Sequence, residues 1–158
     1  MKRKTEAVVG DMRLSLSPGS LEACIRALDE EPAFRVPPGS LEVAFVDEVG
    51  CRRLHSAFFG DPELTDVMTF PGDPEDGHAG DIAVCPAAAA ACAGPGTPFR
   101  EELTLYLVHA WLHLAGLRDD NESGRAGMRL AEAALMGSLR NKGAILEASW
   151  NPGPSRAG

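Results

Sequence analysis

Two histidines four residues apart, His109 and His113, have the spacing of paired metal ligands. In an α-helix, side chains four residues apart lie on one face, one turn above the other. Their imidazole nitrogens can therefore meet one ion at ~2.0–2.1 Å, the usual distance for zinc. The spacing also fits two histidines that are hydrogen-bonded in the core, although an apolar helix would then need a partner for each ring. The residues by themselves leave both interpretations open.

Acidic residues follow the histidine pair closely. Gly116 is placed to end the helix, and Asp119 and Asp120 come shortly after it. Because the chain can turn at glycine, either carboxylate could approach the imidazoles from another direction. A carboxylate is an accepted zinc ligand, and three protein ligands leave one coordination position for water. The segment therefore favours a metal site of the catalytic type.

Hydrophobic periodicity and Gly or Pro breaks predict short strands interleaved with helices. We expect strands at 5–10 or 13–17, 40–46, 67–70 and 81–85, an acidic loop at 72–80, and helices at 17–28, 47–59, 86–93, 98–115 and 122–141. Ser17 and Asp47 are the expected N-caps of the first two helices, and Val49, Leu54 and Phe58 are expected to face the core. The helix that carries the histidines is apolar on nearly all sides, which indicates burial. The expected class is α+β, with a small mixed sheet of about four strands packed with four to five helices.

Length and composition indicate one cytoplasmic domain. The 158 residues are the size of one ordinary domain, which we place at 1–148, and the Pro- and Gly-rich tail at 149–158 is expected to be disordered. Every apolar run stops well short of the ~20 residues that a membrane-spanning helix needs. The four cysteines are scattered without a C-x-x-C pair, which is typical of free thiols in a reducing compartment.

The charge balance argues against a protein that binds nucleic acid through a strongly basic surface. Asp and Glu together number 23, Lys and Arg together 15, and the formal net charge is −8. Contacts with phosphates depend on Lys and Arg, so this acidity works against binding by the overall field. It leaves room for an enzyme with a small local site for nucleic acid.

The histidine segment resembles the signature of the YbeY family of single-strand endoribonucleases. That signature is a histidine, three residues, a second histidine, five residues and a third histidine, with a leucine before the second histidine and a glycine three residues after it. This chain matches it at His109, Leu112, His113 and Gly116. The family's metal ligands therefore correspond to His109, His113 and the residue at the third position, Asp119.

Two upstream segments are also similar to family blocks. Residues 65–71 read Thr-Asp-Val-Met-Thr-Phe-Pro, and residues 80–82 read Gly-Asp-Ile. Their order and their distance from the histidines agree with the family over residues 41–136. The resemblance therefore covers most of the chain.

Four positions depart from the family pattern. Asp119 stands where the family has its third histidine, Arg118 where an aspartate is common, and Ala110 where glycine is usual. Phe59 stands where the family carries an arginine that the resemblance implies is important for activity. Asp119 keeps three ligands but adds a negative charge, which should make the bound metal a weaker Lewis acid.

The resemblance implies a metal-dependent endoribonuclease that cleaves single-stranded RNA in the 3′ maturation of 16S rRNA and in ribosome quality control. Its implied partners are ribosomal RNA and the small ribosomal subunit, and the chain is expected to act as a cytoplasmic monomer. One zinc ion per chain is expected, and Mn²⁺ or another divalent ion is compatible with a carboxylate ligand. Water activated by the metal would hydrolyse the phosphodiester bond.

Other residues are expected around the ligands. Asp120 and Arg118 are candidates for assisting the reaction, and Asp66 and Asp81 are candidates for orienting ligands by hydrogen bonds. His55, on the helix that begins at Asp47, is expected to be partly exposed, with an approach to the metal cleft as the alternative.

Three aromatic residues have rings that could stack on nucleic-acid bases. They are Phe58, Phe59 and Trp111. Trp111 lies on the apolar helix and is therefore expected in the core.

Two other functions remain open. A non-catalytic, metal-stabilised module that binds the ribosome or a partner protein is favoured by the net acidity and by Phe59. A zinc peptidase would need a glutamate next to the first histidine as general base. That position is Ala110, whose methyl group cannot accept a proton.

Overall fold

Five α-helices and six β-strands make up the part of the chain that the computed structural model describes, residues 3–61 and 65–153. In chain order they are β1 (Thr5–Val9), β2 (Leu14–Leu16), α1 (Ser20–Asp29), β3 (Ser40–Phe45), α2 (Glu48–Phe59), β4 (Val67–Pro71), β5 (His78–Val84), α3 (Pro86–Cys92), α4 (Phe99–Leu114), α5 (Glu122–Asn141) and β6 (Ala148–Trp150). Within these residues, none of the helices combines the length and apolarity needed to cross a bilayer.

Four strands form one mixed sheet in the order β1-β3-β5-β4. Strands β1, β3 and β5 are parallel, and β4 pairs antiparallel with β5 at one edge. Alternate residues of β3, Leu41, Val43 and Phe45, are buried, as their spacing predicts for a strand with one face on the core. The mixed four-stranded sheet with five helices confirms the predicted α+β class.

Helix α4 is the centre of the core. Trp111, Leu107 and Leu112 are among its fully buried residues, and the helix packs against β4, β5, α3 and α5. The indole N–H of Trp111 donates a hydrogen bond to the carbonyl oxygen of Phe34 at 3.1 Å, so its polar atom is satisfied. The prediction of a buried helix that carries the histidine pair is confirmed.

The C-terminal end of α4 approaches β5 closely at Gly80. A β-carbon added at Gly80 would lie 2.9 Å from a methyl carbon of Leu114 and 3.0 Å from the carbonyl oxygen of Phe70. Leu114 follows His113 directly, so the missing side chain at Gly80 sets how near the histidine end of α4 sits to the sheet. This packing gives the Gly-Asp-Ile segment a structural reason for its glycine.

The first helix begins later than predicted. Helix α1 starts at Ser20 with Gly19 as its N-cap, so the prediction that Ser17 caps it is wrong. The backbone N–H of Ser17 donates instead to the carbonyl oxygen of Glu147 at 2.9 Å. Ser17 therefore extends the pairing of β2 with β6 and lies before the helix.

Helix α2 has the predicted cap but a different buried face. The carboxylate of Asp47 accepts a hydrogen bond from the backbone N–H of Gly50 at 2.8 Å, which confirms the cap. Val49 and Phe58, predicted to face the core, are 56% and 65% exposed. The helix packs through Cys51, which lies in a small separate core cluster with Met68, Ala83 and Cys85. Leu54 is partly buried against this cluster, as predicted.

The start of β5 and the start of the C-terminal tail also differ from the predicted boundaries. Strand β5 begins at His78, inside the predicted acidic loop, because residue 78 pairs with Ser40 of β3. Ser149 and Trp150, the first residues of the predicted disordered tail, lie in β6, which pairs antiparallel with β2. The Trp150 ring also contacts Phe99, with ring centroids 5.7 Å apart. Residues 154–158 of the predicted tail lie outside the described residues.

Replacing Gly80 by alanine should destabilise the protein by about 1–3 kcal/mol, because the new methyl group overpacks the contact between β5 and α4. Urea denaturation followed by circular dichroism measures the change. Gly127→Ala is the matched control, since this exposed helical glycine has open space around it and the substitution should stabilise by up to about 1 kcal/mol. Equal stability of Gly80→Ala and wild type would contradict the proposed packing role.

Candidate metal centre

The turn after α4 brings an acidic residue back towards the histidines. Gly116 has a φ of 102°, a left-handed conformation that suits glycine. The backbone N–H groups of Gly116 and Leu117 donate to the carbonyl oxygens of His113 and Leu112, both at 3.0 Å. This is the Schellman pattern of helix termination. The reversal places Asp119 opposite the last turns of the helix that it has just left.

Three side-chain atoms converge at this end of α4. The Nε2 atoms of His109 and His113 are 3.1 Å apart, and Oδ2 of Asp119 lies 3.5 Å from the first and 3.6 Å from the second. Ligand atoms bound to a tetrahedral ion at ~2.0–2.1 Å are separated by about 3.3–3.4 Å. The three edges of this triangle bracket that value, so the donor set fits a divalent ion that keeps a further position open.

The outer nitrogens of both rings face hydrogen-bond acceptors. Nδ1 of His109 lies 2.5 Å from Oε2 of Glu132, and Nδ1 of His113 lies 3.1 Å from the carbonyl oxygen of Leu117. A carboxylate and a carbonyl only accept, so each ring carries its proton on Nδ1. The two Nε2 lone pairs and the Asp119 carboxylate then face one another as three electron-pair donors. Three facing electron-pair donors are stabilised by a shared cation, so this arrangement favours metal binding over a hydrogen-bonded core pair.

Glu132 is the residue that the sequence analysis missed. It lies on α5, is 23 residues from His109 in the chain, and its side chain is only 17% exposed. Metal-bound histidines commonly donate their second N–H to a carboxylate, which fixes the ring orientation. No local spacing links Glu132 to the histidine pair, so only the packing of α5 on α4 reveals the contact.

The three ligand atoms open onto a cavity of about 520 Å³. Its lining combines the turn after α4 with residues 65–69 and Pro71 from the β4 segment, and with His55 and Phe59 from α2. His55, for which an approach to the cleft was the alternative to a partly exposed position, is one of the lining residues. The similar segment at 65–71 forms one wall of the cavity, which explains why it accompanies the histidine motif.

The charges around the cavity also favour a divalent cation. The described lining residues include three carboxylates, those of Asp66, Asp119 and Asp120, and one guanidinium, that of Arg118. With neutral histidines this is a formal charge of −2, which one divalent ion would neutralise. Since phosphate is itself an anion, the cavity needs that neutralisation before it can hold a phosphodiester.

Arg118 and Asp120, the two predicted assisting residues, both line the cavity. Their side chains are 82% and 67% exposed, and Nε of Arg118 lies 3.7 Å from Oδ2 of Asp120. Such an exposed pair is weak, so both groups can reorient when an anion enters.

The two residues predicted to orient ligands have different surroundings. Asp66 lines the cavity, and its carboxylate accepts a hydrogen bond from the backbone N–H of Val67 at 2.9 Å. Asp81 instead hydrogen-bonds to Nε2 of His78 at 3.0 Å and is not part of the cavity lining. The structure therefore brings Asp66 to the site, and it directs the side chain of Asp81 to a histidine outside the cavity.

The cysteines take no part in the ligand cluster. All four are free thiols, and Cys24, Cys51 and Cys85 are buried. Burial raises the pKa of Cys24 to about 12, which keeps this thiol protonated and uncharged. The only group of three or more His, Cys, Asp or Glu ligands found in the described ranges consists of His109, His113 and Asp119.

Replacing Glu132 by alanine should weaken zinc binding by about 10- to 100-fold, because His109 loses the group that orients its ring. Competition with a chromophoric zinc chelator measures the affinity. Glu132→Gln should lose less zinc affinity, since the amide oxygen still accepts a hydrogen bond from Nδ1 of His109. Glu122→Ala, on the same helix, is the control and should bind zinc like wild type. Unchanged affinity in Glu132→Ala would show that the contact does not support the site.

Comparison with known proteins agrees with the geometry. The family model for endoribonuclease YbeY matches residues 6–140. Endoribonuclease YbeY of Chlamydia pneumoniae is 32% identical over 138 residues, covering 82% of this chain and 86% of the relative, and that of Streptomyces griseus subsp. griseus is 33% identical over 131 residues, covering 73% and 79%. The solution structure of TM1509 from Thermotoga maritima superposes with a TM-score of 0.56 at 26% identity, covering 94% of this chain and 99% of that protein. The chain therefore belongs to the endoribonuclease YbeY family.

Proposed function

We propose that this chain is a metal-dependent endoribonuclease that hydrolyses phosphodiester bonds in single-stranded RNA. The observation that carries the proposal is the triangle of His109 Nε2, His113 Nε2 and Asp119 Oδ2, with edges of 3.1–3.6 Å, on the wall of an open cavity. Family membership supports a nuclease, and the cavity supplies a place for the scissile phosphate.

His109, His113 and Asp119 would hold the ion and determine its acidity as a Lewis acid. A divalent ion bound there would lower the pKa of a water molecule and polarise a phosphoryl oxygen. Asp119 adds a negative charge that a third histidine would not, so we expect a weaker Lewis acid and a wider choice of metal. We propose one zinc ion per chain, with Mn²⁺ as the first alternative.

The chain's own charged groups assist from the cavity wall. The guanidinium of Arg118 can donate to non-bridging phosphate oxygens and offset the charge that develops during cleavage. The carboxylate of Asp120 can accept a proton during hydrolysis. Arg118 is the only permanently charged cation among the described lining residues. It therefore takes the electrostatic role of the family arginine, whose position is occupied by Phe59 in this chain.

The cellular role rests on the family. We propose that residues 1–148 act as one catalytic domain, in the cytoplasm and as a monomer. The proposed substrate is ribosomal RNA on the small ribosomal subunit, in the 3′ maturation of 16S rRNA and in ribosome quality control.

A metal-stabilised binding module without turnover is the second candidate. The net charge of −8 and the presence of Phe59 in the cavity favour it. It predicts RNA or ribosome binding with no cleavage. A zinc peptidase is not supported, because Ala110, next to the first histidine, is fully buried and has no group to act as a base.

Removal of the metal should abolish RNA cleavage. We expect EDTA-treated protein and the His113→Ala variant to cleave a fluorescent single-stranded RNA at least ~100-fold more slowly than zinc-loaded protein, because the ion supplies several kcal/mol of stabilisation. Added Zn²⁺ or Mn²⁺ should restore cleavage by the EDTA-treated protein but not by the His113→Ala variant. His78→Ala is the control, since this histidine pairs with Asp81 outside the cavity. Equal cleavage by His113→Ala and wild type would refute the proposed function.

Loss of the Arg118 guanidinium should lower kcat by roughly 10- to 100-fold, less than the ~100- to 1,000-fold effect of a buried transition-state donor, because the side chain is exposed to solvent. Arg118→Lys should retain part of the rate, because it keeps the charge and loses the paired donors. Single-turnover cleavage by zinc-saturated variants measures the chemical step. A wild-type rate in Arg118→Ala would assign the electrostatic role elsewhere.

A further inference from the structure

Two phenylalanines at the end of α2 are exposed beside the metal cavity. Phe58 and Phe59 are 65% and 55% exposed, although phenylalanine is normally buried. They occupy the last turn of α2, where Gly60 ends the helix with a φ of 70°. Adjacent residues on a helix point about 100° apart, so the two rings together cover a wide part of the helix surface.

The two rings are braced by a third aromatic ring. Phe70 of β4 contacts Phe58 in an edge-on arrangement, with centroids 5.0 Å apart, and lies 6.1 Å from Phe59 at a tilt of 36°. Aromatic pairs at these distances are favourable beyond their buried area. Phe70 therefore restricts the motion of both exposed rings. We name Phe58, Phe59 and Phe70 the aromatic platform.

The aromatic platform is continuous with the metal cavity. Phe59 lines the same cavity as His109, His113 and Asp119. Phe70 is not among the lining residues and adjoins the cavity through its contact with Phe59. A ligand whose phosphate enters the cavity would therefore place the adjoining part of the molecule against the platform.

The acidity of the chain limits which groups of that ligand the protein can bind. With a net charge of −8, the protein cannot hold a nucleic acid by its overall field, and Arg118 is the only permanently charged cation among the described cavity residues. Neutral aromatic rings bind bases by stacking, which needs no protein charge. Bases within a duplex are already stacked on their neighbours, so a ring surface selects strands with unpaired bases.

We propose that the aromatic platform stacks an unpaired base next to the phosphate held at the metal centre. The inference rests on the proposed function, since it assumes that an RNA phosphate enters the cavity. It assigns Phe59 to substrate binding and to the selection of single strands. Loss of the ring therefore raises KM and leaves kcat nearly unchanged, in contrast to Arg118.

The direct test is strand binding by zinc-loaded protein. The probe is a fluorescent 12-nucleotide single strand with 2′-O-methyl riboses, checked for integrity by gel, and its affinity is measured by anisotropy. Phe59→Ala should bind about 5- to 150-fold more weakly, whereas Phe59→Tyr and Phe59→Trp should stay within about threefold of wild type. Phe59→Leu should resemble alanine, because it is apolar but lacks the ring. Leu130→Ala, at an exposed apolar position on α5, is the matched control and should bind like wild type.

A second probe distinguishes binding to the bases from binding to the sugar-phosphate backbone. A strand of the same length with abasic sites throughout should bind wild type and Phe59→Ala equally weakly. With 2-aminopurine in the first strand, wild type should quench its fluorescence by stacking, and Phe59→Leu should not. Equal affinity of wild type for the abasic and the base-bearing strands would overturn the proposal, as would undetectable binding of both.

Other outcomes identify what failed. Cleavage by Phe59→Ala with a wild-type KM would overturn the platform and leave the endoribonuclease intact. Cleavage that persists in His113→Ala would refute the metal mechanism, while ring-dependent strand binding would still support the platform. If wild type forms a dimer at the titration concentrations and Phe59→Ala does not, the exposed rings form a protein interface and the proposal is wrong.

Discussion

The burial of α4 against the sheet is the constraint on which the candidate site depends. The helix is apolar on nearly every side, and it packs on β4, β5, α3 and α5, so its position allows little adjustment. His109 and His113 occupy the end of this rigid element where it reaches the surface, and their side chains remain 27% and 29% exposed. A rigid scaffold with ligands at its rim fixes the directions of two donor atoms before any ion binds. Gly80 contributes by allowing β5 to approach Leu114, next to the second histidine.

Electrostatics explains how an acidic chain can carry a site for an anionic substrate. The cavity has excess negative charge from its carboxylates, which favours the cation, and the cation is what would make the cavity compatible with phosphate. Asp119 adds to the negative charge that favours a cation, and it would make a bound ion a weaker Lewis acid. Arg118 and Phe59 also line the cavity, the first with a positive charge and the second with an uncharged ring. In this chain, charge at the centre and aromatic contact at its border would together do what a basic groove does in other RNA-binding proteins.

Elements with a local sequence signal were predicted correctly, whereas the burial of residues that pack on distant segments was not. The buried helix, the cap at Asp47, the alternating face of β3 and the turn at Gly116 all follow from spacing within a few residues. For α2 the prediction of Leu54 as inward is confirmed, but Val49 and Phe58 are exposed. Weak amphipathicity does not show that Cys51, and not Phe58, packs in a core cluster. Pairing between distant segments likewise moved the start of α1 and placed Ser149 and Trp150 in a strand.

By itself, the sequence determined the family, the α+β class, and two histidines on one helical face followed by a glycine and acids. These features depend on residue type and on the 3.6-residue period of a helix, both of which are visible in one dimension. The family signature had already selected Asp119 as the third candidate ligand. Only the tertiary structure decided that Glu132 holds His109 and that the side chain of Asp81 contacts His78. It also placed Phe59 beside the ligands. These contacts join segments that are distant in the chain, and their geometry is set by how α5, α2 and the sheet pack on α4, which no local pattern encodes.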